Sequence, residues 1–328
     1  MTILILSCGT RNKLVRFFKE TFAKLPEGGR VVVTDCSPWA PALYEADQYY
    51  LVPRMTEPGY LDRILEICKL EKVNAVLPLF EDELDLLAHN RELFEREGIR
   101  AVVSGKETVA LCRDKYCFYR HLVENGLPAL TTCLNLEQFD RARAEGKLDF
   151  PVFVKPVRGC GSVGINRVKN RELLETLCRY SEEELLIQQL ADGEELGVDV
   201  YVDLLTGKPA AVFAKKKVRM RAGETEKAVS VKDEALFILV ERMISTLDFA
   251  GPVDMDVFRI NGQYYISEIN PRFGGGYPHA YHCGVNFPAM IARNLAGKCN
   301  EPVIGVYEAG VCMMKYSDEM VRKIEEPF

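Results

Sequence analysis

The stretch from Gly251 to Gly276, GPVDMDVFRINGQYYISEINPRFGGG, limits what this chain can fold into more than any other. Val253–Ile260 and Gln263–Asn270 read as strands flanking Asn261-Gly262, a strong hairpin signal. Asp254, Asp256, Glu268 and Asn270 all carry oxygen ligands, and their placement depends on the turn. A two-residue Asn-Gly loop pairs Ile260 with Gln263 and sends Asp256 and Glu268 to opposite faces. A three-residue loop (Asn261, Gly262, Gln263) pairs Ile260 with Tyr264. It sets Asp256 opposite Glu268 and Asp254 opposite Asn270, all on one face. Like charges directly across a ladder destabilise a sheet, and a divalent cation between them reverses that. The three-residue turn is therefore expected, and with it a Mg²⁺ site of oxygen ligands, Mn²⁺ being an alternative ion. A solvated hairpin face accounts for any one of these carboxylates. It does not account for four oxygen ligands followed by Pro271-Arg272-Phe273-Gly274-Gly275-Gly276.

The 328 residues suffice for two or three domains. With 48% hydrophobic and 27% charged residues the composition is that of an ordinary soluble globular protein. A net charge of −6 and a pI near 5.5 argue against nucleic-acid binding as the main function. No apolar run reaches membrane-spanning length, so no membrane partner is expected. Thr2–Ser7 has no basic leader and runs into Arg11 and Lys13, so it reads as a first strand and not a signal peptide. Eleven scattered cysteines without a Cys-x-x-Cys pair suit reduced thiols and a cytoplasmic location.

Residues 1–105 alternate strand and helix, and runs such as ILIL and VVV suit a doubly wound parallel sheet covered on both faces. Leu14–Leu25, Leu61–Glu71 and Glu81–Glu97 read as helices. Cys8-Gly9-Thr10 and Asp35 echo a dinucleotide fold, but the Gly-x-Gly-x-x-Gly fingerprint is missing, which disfavours a dehydrogenase. In residues 106–185, Glu107–Asn125 reads as one helix with Lys115 near its middle. Val152–Pro156 then leads through a Gly-rich loop, Arg158 to Gly164, into a second strand. No Gly-Lys-Ser/Thr follows, so this is not a P-loop; such a hairpin can instead lay backbone N–H groups over phosphates. Lys155, in an apolar strand, is costly to bury without an anionic partner.

Residues 186–328 read as a β-rich lobe. Within it, Lys215, Lys217, Arg219 and Arg221 alternate, which stacks them on one face of a strand as an anion-binding wall; a solvated charged loop carries similar weight. Arg221, beside the expected turn Ala222-Gly223-Glu224-Thr225, is the preferred contact for a substrate carboxylate.

The order Lys115, Lys155 with its Gly-rich loop, Gln188-Gln189-Leu190, Gly193-x-Glu195 and Asp256…Glu268-x-Asn270-Pro271-Arg272 resembles the ATP-grasp superfamily, most closely its short carbamoyl-phosphate-synthase-like branch. The resemblance implies an N-terminal α/β domain ahead of a two-lobed ATP-grasp fold (lobes 106–185 and 186–328) with ATP between the lobes. It implies that Lys115 and Lys155 reach the phosphates and that the loop bearing Gly159, Gly161, Ser162 and Gly164 covers them. Gln188, Gln189 and Leu190 would read the adenine edge, largely through backbone groups, and Glu195 would bind the ribose. Asp256, Glu268 and Asn270 would hold magnesium ions. Arg272 would contact the transferring phosphate or the substrate. Relatives often carry Glu where this chain has Gln188-Gln189, and Glu or Gln in place of Asp256. Asp254 has no family role and is a supporting candidate beside the metal.

The chemistry so implied is phosphoryl transfer to a small carboxylate, giving an acyl phosphate that an amine then displaces. His279 and His282 lie beside the site, to orient substrate or simply to fill structure. Phosphorylation of a small carboxylate or carbamate without amide formation is a second reading. A non-catalytic nucleotide-binding protein is a third, though such a protein is expected to have lost part of the lysine and hairpin set. Small-molecule acid and amine are the expected partners, with a homodimer as the assembly to test.

Overall fold

The computed structural model describes residues 1–159 and 164–324. The apolar runs near the N-terminus form the centre of a parallel sheet in the order β3-β2-β1-β4-β5: β1 Thr2–Ile5, β2 Arg30–Asp35, β3 Gln48–Leu51, β4 Ala75–Leu77 and β5 Arg100–Ala101. Helices α1 (Asn12–Phe22), α2 (Tyr60–Leu70), α3 (Glu81–His89) and α4 (Arg91–Arg96) accompany it. β1 is wholly buried, as an unbroken ILIL run between two covered faces requires. The expected helix Glu81–Glu97 is two helices, the break falling at Asn90, whose side chain donates back to the Leu86 carbonyl.

The expected helix Glu107–Asn125 is likewise two, α5 (Lys106–Arg113) and α6 (Lys115–Glu124). Asp114 takes an extended conformation between them, and its carboxylate accepts from the N–H groups of Tyr116 and Cys117 as an N-cap. Lys115 is therefore the first residue of a helix and not a mid-helix residue. Its backbone N–H donates to the Val157 carbonyl, which ties it to the end of the following strand. The central lobe is an antiparallel sheet in the order β6-β9-β7-β8, made of β6 (Thr132–Cys133), β7 (Val152–Pro156), β8 (Asn166–Val168) and β9 (Leu185–Gln189). Helices α7 (Leu136–Ala144) and α8 (Arg171–Tyr180) pack against it.

The C-terminal lobe is built on a second antiparallel sheet, in the order β14-β13-β10-β11-β12-β16. Its strands are β10 (Glu194–Val202), β11 (Pro209–Arg221), β12 (Glu224–Val231), β13 (Gly251–Ile260), β14 (Gln263–Asn270), β15 (Val303–Ile304, parallel to β11) and β16 (Cys312–Met314). Helix α9 (Glu234–Ile244) begins later than the expected Ser230, because β12 runs to Val231 and Asp233 supplies the cap. Helices α10 (Tyr277–His282) and α11 (Phe287–Leu295) meet the N-terminal domain in one aromatic core: Phe18 lies edge-on to Phe273, which packs on Tyr277 and Phe287. That core seats the residues after Arg272 against the first domain.

The β13–β14 turn corrects the expectation. Ile260 pairs with Gln263 across a two-residue turn, with Asn261 and Gly262 both at positive φ. Asp256 nevertheless pairs with Glu268, and Asp254 with Asn270. The register shifts between Asp256 and Val257, which pairs with Ile266, so Ser267 is an extra residue in a β-bulge. The bulge does what the longer turn was expected to do.

Candidate active site

Where the three units meet, a cavity of about 320 Å³ is lined by Lys115, Lys155, Gly159, Glu195, Lys217, Asp254, Asp256, Glu268, Asn270 and Arg272, together with Arg11, Glu81 and Glu224. The proposed metal ligands enter it from one face of β13 and β14, as direct cross-strand pairs. Lys115 Nζ donates to the Gly159 carbonyl at 2.5 Å, so Lys115, Lys155 and the start of the Gly-rich loop share one wall. Gly161 and Ser162 lie outside the described residues; Gly164 is in the left-handed region at φ 72°. Burial holds the Lys155 ammonium below its ordinary value, Glu268 pulls it back up, and Lys115 pushes it further down. A buried, only partly compensated ammonium in a cleft suits a phosphate ligand.

Asp256 is engaged from the opposite side. Lys217 Nζ lies 2.6 Å from its Oδ1 and 2.8 Å from Glu195 Oε1. Burial pushes the Asp256 carboxyl up; Lys217 opposes that, and Asp254 and Glu268 add to it. The donor set Asp256, Glu268 and Asn270 is all oxygen and faces one cavity, which fits a hard divalent cation. Arg272 sits between two carboxylates without bonding either closely: 3.8 Å from Glu81 of the first domain and 3.9 Å from Asp254. Its Nη1 donates to the Phe273 carbonyl, and the rest of the fork faces the cavity.

The glycine run after Arg272 is required by space. A Cβ on Gly274 would lie 2.4 Å from Asp254 Cγ, one on Gly275 2.8 Å from Glu224 Cδ, and one on Gly276 2.6 Å from Lys215 Cε. Bare backbone thus lets Asp254 and Glu224 crowd the cavity wall and buried Lys215 pass behind it.

The basic strand divides. Lys215 is buried and bonded to Asp199, and Lys217 enters the cavity. Val218 is then an extra residue opposite β12, so Arg219 and Arg221 leave the shared face and Met220 and Thr225 line the cavity instead. The expected single face of four cations is therefore corrected to two: Arg219 and Arg221 both reach Glu226. Arg221 lines a second cavity of about 790 Å³ that shares Arg11, Ala222, Glu224, Thr225 and Gly275 with the first.

Gln188, Gln189 and Leu190 do not line either cavity. Gln188 donates to the Thr132 hydroxyl, and Gln189 Oε1 accepts from the Thr131 N–H, so both side chains serve the central sheet. His279 is buried, with Nε2 donating to the Val311 carbonyl at 3.0 Å. Burial, with Lys215 nearby, pushes it down to about 4, so it is a neutral structural histidine. His282 packs edge-on against Phe17.

Sequence reasoning missed Arg11, Glu81, Glu224 and Gly197. Glu81 follows the carboxyl end of buried β4, where open α/β sheets place ligands, and that was its signal. Gly197 stands inside a strand, a sign of close approach by another group.

Comparison with known proteins agrees with this geometry. A family model described as PylC-like, N-terminal domain, matches residues 3–102. The carbamoyl phosphate synthase large chain of Pseudothermotoga lettingae is 24% identical over 290 residues, 83% of this chain and 25% of that one. The D-alanine–D-alanine ligase of Ruminiclostridium cellulolyticum is 30% identical over 204 residues, 54% of each chain. This chain thus spans from a quarter to about half the length of these relatives. The biotin carboxylase domain of Hydrogenobacter thermophilus 2-oxoglutarate carboxylase, solved as a dimer with MgADP, ADP and bicarbonate, superposes with a TM-score of 0.73 at 17% identity, covering 94% of this chain and 73% of that one. Among the described residues no helix is long and apolar enough to cross a membrane. With its two lobes, its lysine pair and its oxygen-ligand hairpin, and with the model described as ATP-grasp domain matching residues 112–276, the chain belongs to the ATP-grasp family.

Proposed function

We propose that this chain is an ATP-dependent ligase that activates a small carboxylate as an acyl phosphate and joins it to an amine, converting ATP to ADP and phosphate. One observation carries the reading: Lys115, Lys155, Asp256, Glu268, Asn270 and Arg272 share a single cavity between the lobes. Lys115 and Lys155 bind the phosphate chain from the central lobe, and the Gly-rich loop that Gly159 begins would add backbone N–H donors. Glu195 takes the ribose, and the adenine lies toward the backbone of Gln188–Leu190. Asp256, Glu268 and Asn270 would hold Mg²⁺, which when bound neutralises charge building on the transferring phosphate.

Arg272 orients the acid, because its fork has room for an anion and its carboxylate neighbours stand too far away to saturate it. A carboxylate oxygen forms a bond to the γ-phosphorus as the bond to the ADP oxygen breaks. The amine nitrogen then attacks the acyl carbon, phosphate leaves, and the nitrogen loses a proton to solvent. Catalysis of this kind rests on positioning and charge, without a protein nucleophile. The larger cavity, which shares Arg11 and Glu224 with the first, holds the amine and the part of the acid remote from its Arg272-bound carboxylate, with Arg221 at its wall. The protein works in the cytoplasm, as a homodimer.

The test is ATP turnover with Mg²⁺ against pooled amino acids and small acids, following ADP, phosphate and hydroxylamine-trapped acyl phosphate. ADP formation dependent on one acid, with hydroxamate when hydroxylamine replaces the amine, supports the ligase. Hydroxamate without any amide under every amine identifies a carboxylate or carbamate kinase. Nucleotide binding with no turnover in any pool overturns an enzyme reading.

A further inference from the structure

Lys217 joins two carboxylates to which the proposed function gives work at opposite ends of the nucleotide. Its Nζ lies 2.6 Å from Asp256 and 2.8 Å from Glu195, and its side chain is only 6% exposed. The contact is built into the sheet. Gly197 stands in the row between Asp256 and Lys215, and a Cβ there would lie 3.1 Å from Lys215 Cε and 3.2 Å from Lys217 Cε. Both lysine stems therefore cross β10 over a residue with no side chain. Lys215 ends on Asp199 in the interior, while Lys217 ends on a proposed metal ligand.

We propose that Lys217 is a positioning residue that keeps a divalent cation off Asp256 until nucleotide arrives, so that metal and nucleotide enter the cleft together. The inference rests on the roles given above to Glu195 and Asp256. An ammonium bonded to a carboxylate oxygen occupies a lone pair that a metal needs and repels the second cation, strongly so where water is scarce. Ribose hydroxyls at Glu195 take over one of the two partners of Lys217, and the phosphate chain offers its ammonium another anion. Each ligand thereby makes room for the other, which is positive coupling between the two sites.

Mn²⁺ binding to the full chain, followed by electron paramagnetic resonance with and without ADP, tests this. In the wild type, ADP is expected to tighten Mn²⁺ binding at least about tenfold, within the usual range for coupled sites. Lys217→Met and Lys217→Gln are expected to bind Mn²⁺ without nucleotide about tenfold tighter than wild type and to lose most of the ADP enhancement. Lys217→Arg, which keeps the charge, retains the wild-type pattern. Unchanged or weaker nucleotide-free Mn²⁺ binding in the Met and Gln variants overturns the inference, as does failure of both to fold, which makes Lys217 part of the scaffold. A wild type that binds Mn²⁺ with ADP but whose variants do not differ leaves the proposed function standing. A wild type that binds neither overturns that function along with this inference.

Discussion

Two hairpins of the same sheet, β13–β14 and β11–β12, carry alternating charged residues; the first contains one extra residue, and the second contains two, Val218 on β11 and Glu226 on β12. In β13–β14 the bulge at Ser267 brings Asp254, Asp256, Glu268 and Asn270 into direct pairs on one face. In β11–β12 the extra residue Val218 parts Arg219 and Arg221 from Lys215 and Lys217. The same device gathers oxygen-bearing side chains in one place and scatters cations in the other. A period-two pattern therefore predicts a shared face only as far as the next bulge, where the parity of every later residue is reset. The charged residues that line the first cavity, Lys217, Asp254, Asp256 and Glu268, lie on the gathered side of both bulges.

The largest effect expected from this contrast sets Glu268→Gln against Arg219→Ala. Removing the Glu268 charge from the cavity face is expected to lower turnover by about 10²–10³-fold, as for other groups that organise transition-state charge. Arg219, paired with Glu226 on the far face, is expected to leave turnover within about twofold, since exposed pairs contribute about 1 kcal/mol or less. Steady-state rates on both variants decide; comparable losses would break the division between the two hairpins.

Gly276→Ala probes where the hairpins meet. The added methyl would fall 2.6 Å from Lys215 Cε, and that side chain cannot retreat because its ammonium is held by buried Asp199. Destabilisation of about 1–3 kcal/mol is expected from such overpacking, measured by urea unfolding. A neutral result would mean that the lysine root of β11 is loose.

Much of the architecture is legible from residue patterns. The ILIL and VVV runs declare the parallel sheet, and Asn261-Gly262 declares the hairpin, because both signals are local. Asp114 and Asn90 interrupt helices that residue pattern alone carries through them, and each has a side chain that competes for backbone groups. Ser267 and Val218 carry no mark of a bulge, since a bulge is a property of two strands and not of one. The same holds for Glu81, Arg11 and Glu224, which reach the cavity from elements remote in sequence. The pairing of Asp256 with Glu268 and of Asp254 with Asn270 is as expected although the turn is not the expected one: the missing turn residue and the bulge at Ser267 offset each other in register.

Below β11, His279 supplies a pH test. It packs against Phe213, one residue pair from Lys215, with its folded value pushed down to about 4. A group so lowered is neutral in the folded chain while the unfolded chain takes up a proton near 6.5. Its contribution to stability is therefore present above 6.5 and is lost as pH falls toward 4. Between pH 6.5 and 5 the expected loss is about 2 kcal/mol, at about 1.4 kcal/mol per pH unit. His279→Gln keeps a donor for the Val311 carbonyl and cannot titrate, so its stability is expected to change less over this interval. Equal slopes in urea unfolding at the two pH values would show that the root of the basic hairpin admits a proton or water.

The smallest effect is expected at Arg221, the one scattered cation that reaches a cavity. It is 72% exposed and meets Glu226 at 3.5 Å, so its charge is screened and its partner holds it loosely. Binding of a substrate carboxylate there would be an exposed charge-assisted contact, worth about 1 kcal/mol or less, which converts to a few-fold change in KM. Arg221→Ala is accordingly expected to raise KM for the acid or amine about two- to fivefold, leaving KM for ATP and kcat unchanged. Arg221→Lys should behave like Ala if two-point contact matters and like wild type if only charge does. Arg219→Ala, on the same face but outside both cavities, is the control. If Arg221→Ala and Arg219→Ala are indistinguishable with each substrate varied separately, both arginines beyond Val218 are surface. The acid must then be held around Arg272 and Arg11, on the gathered side of the bulge.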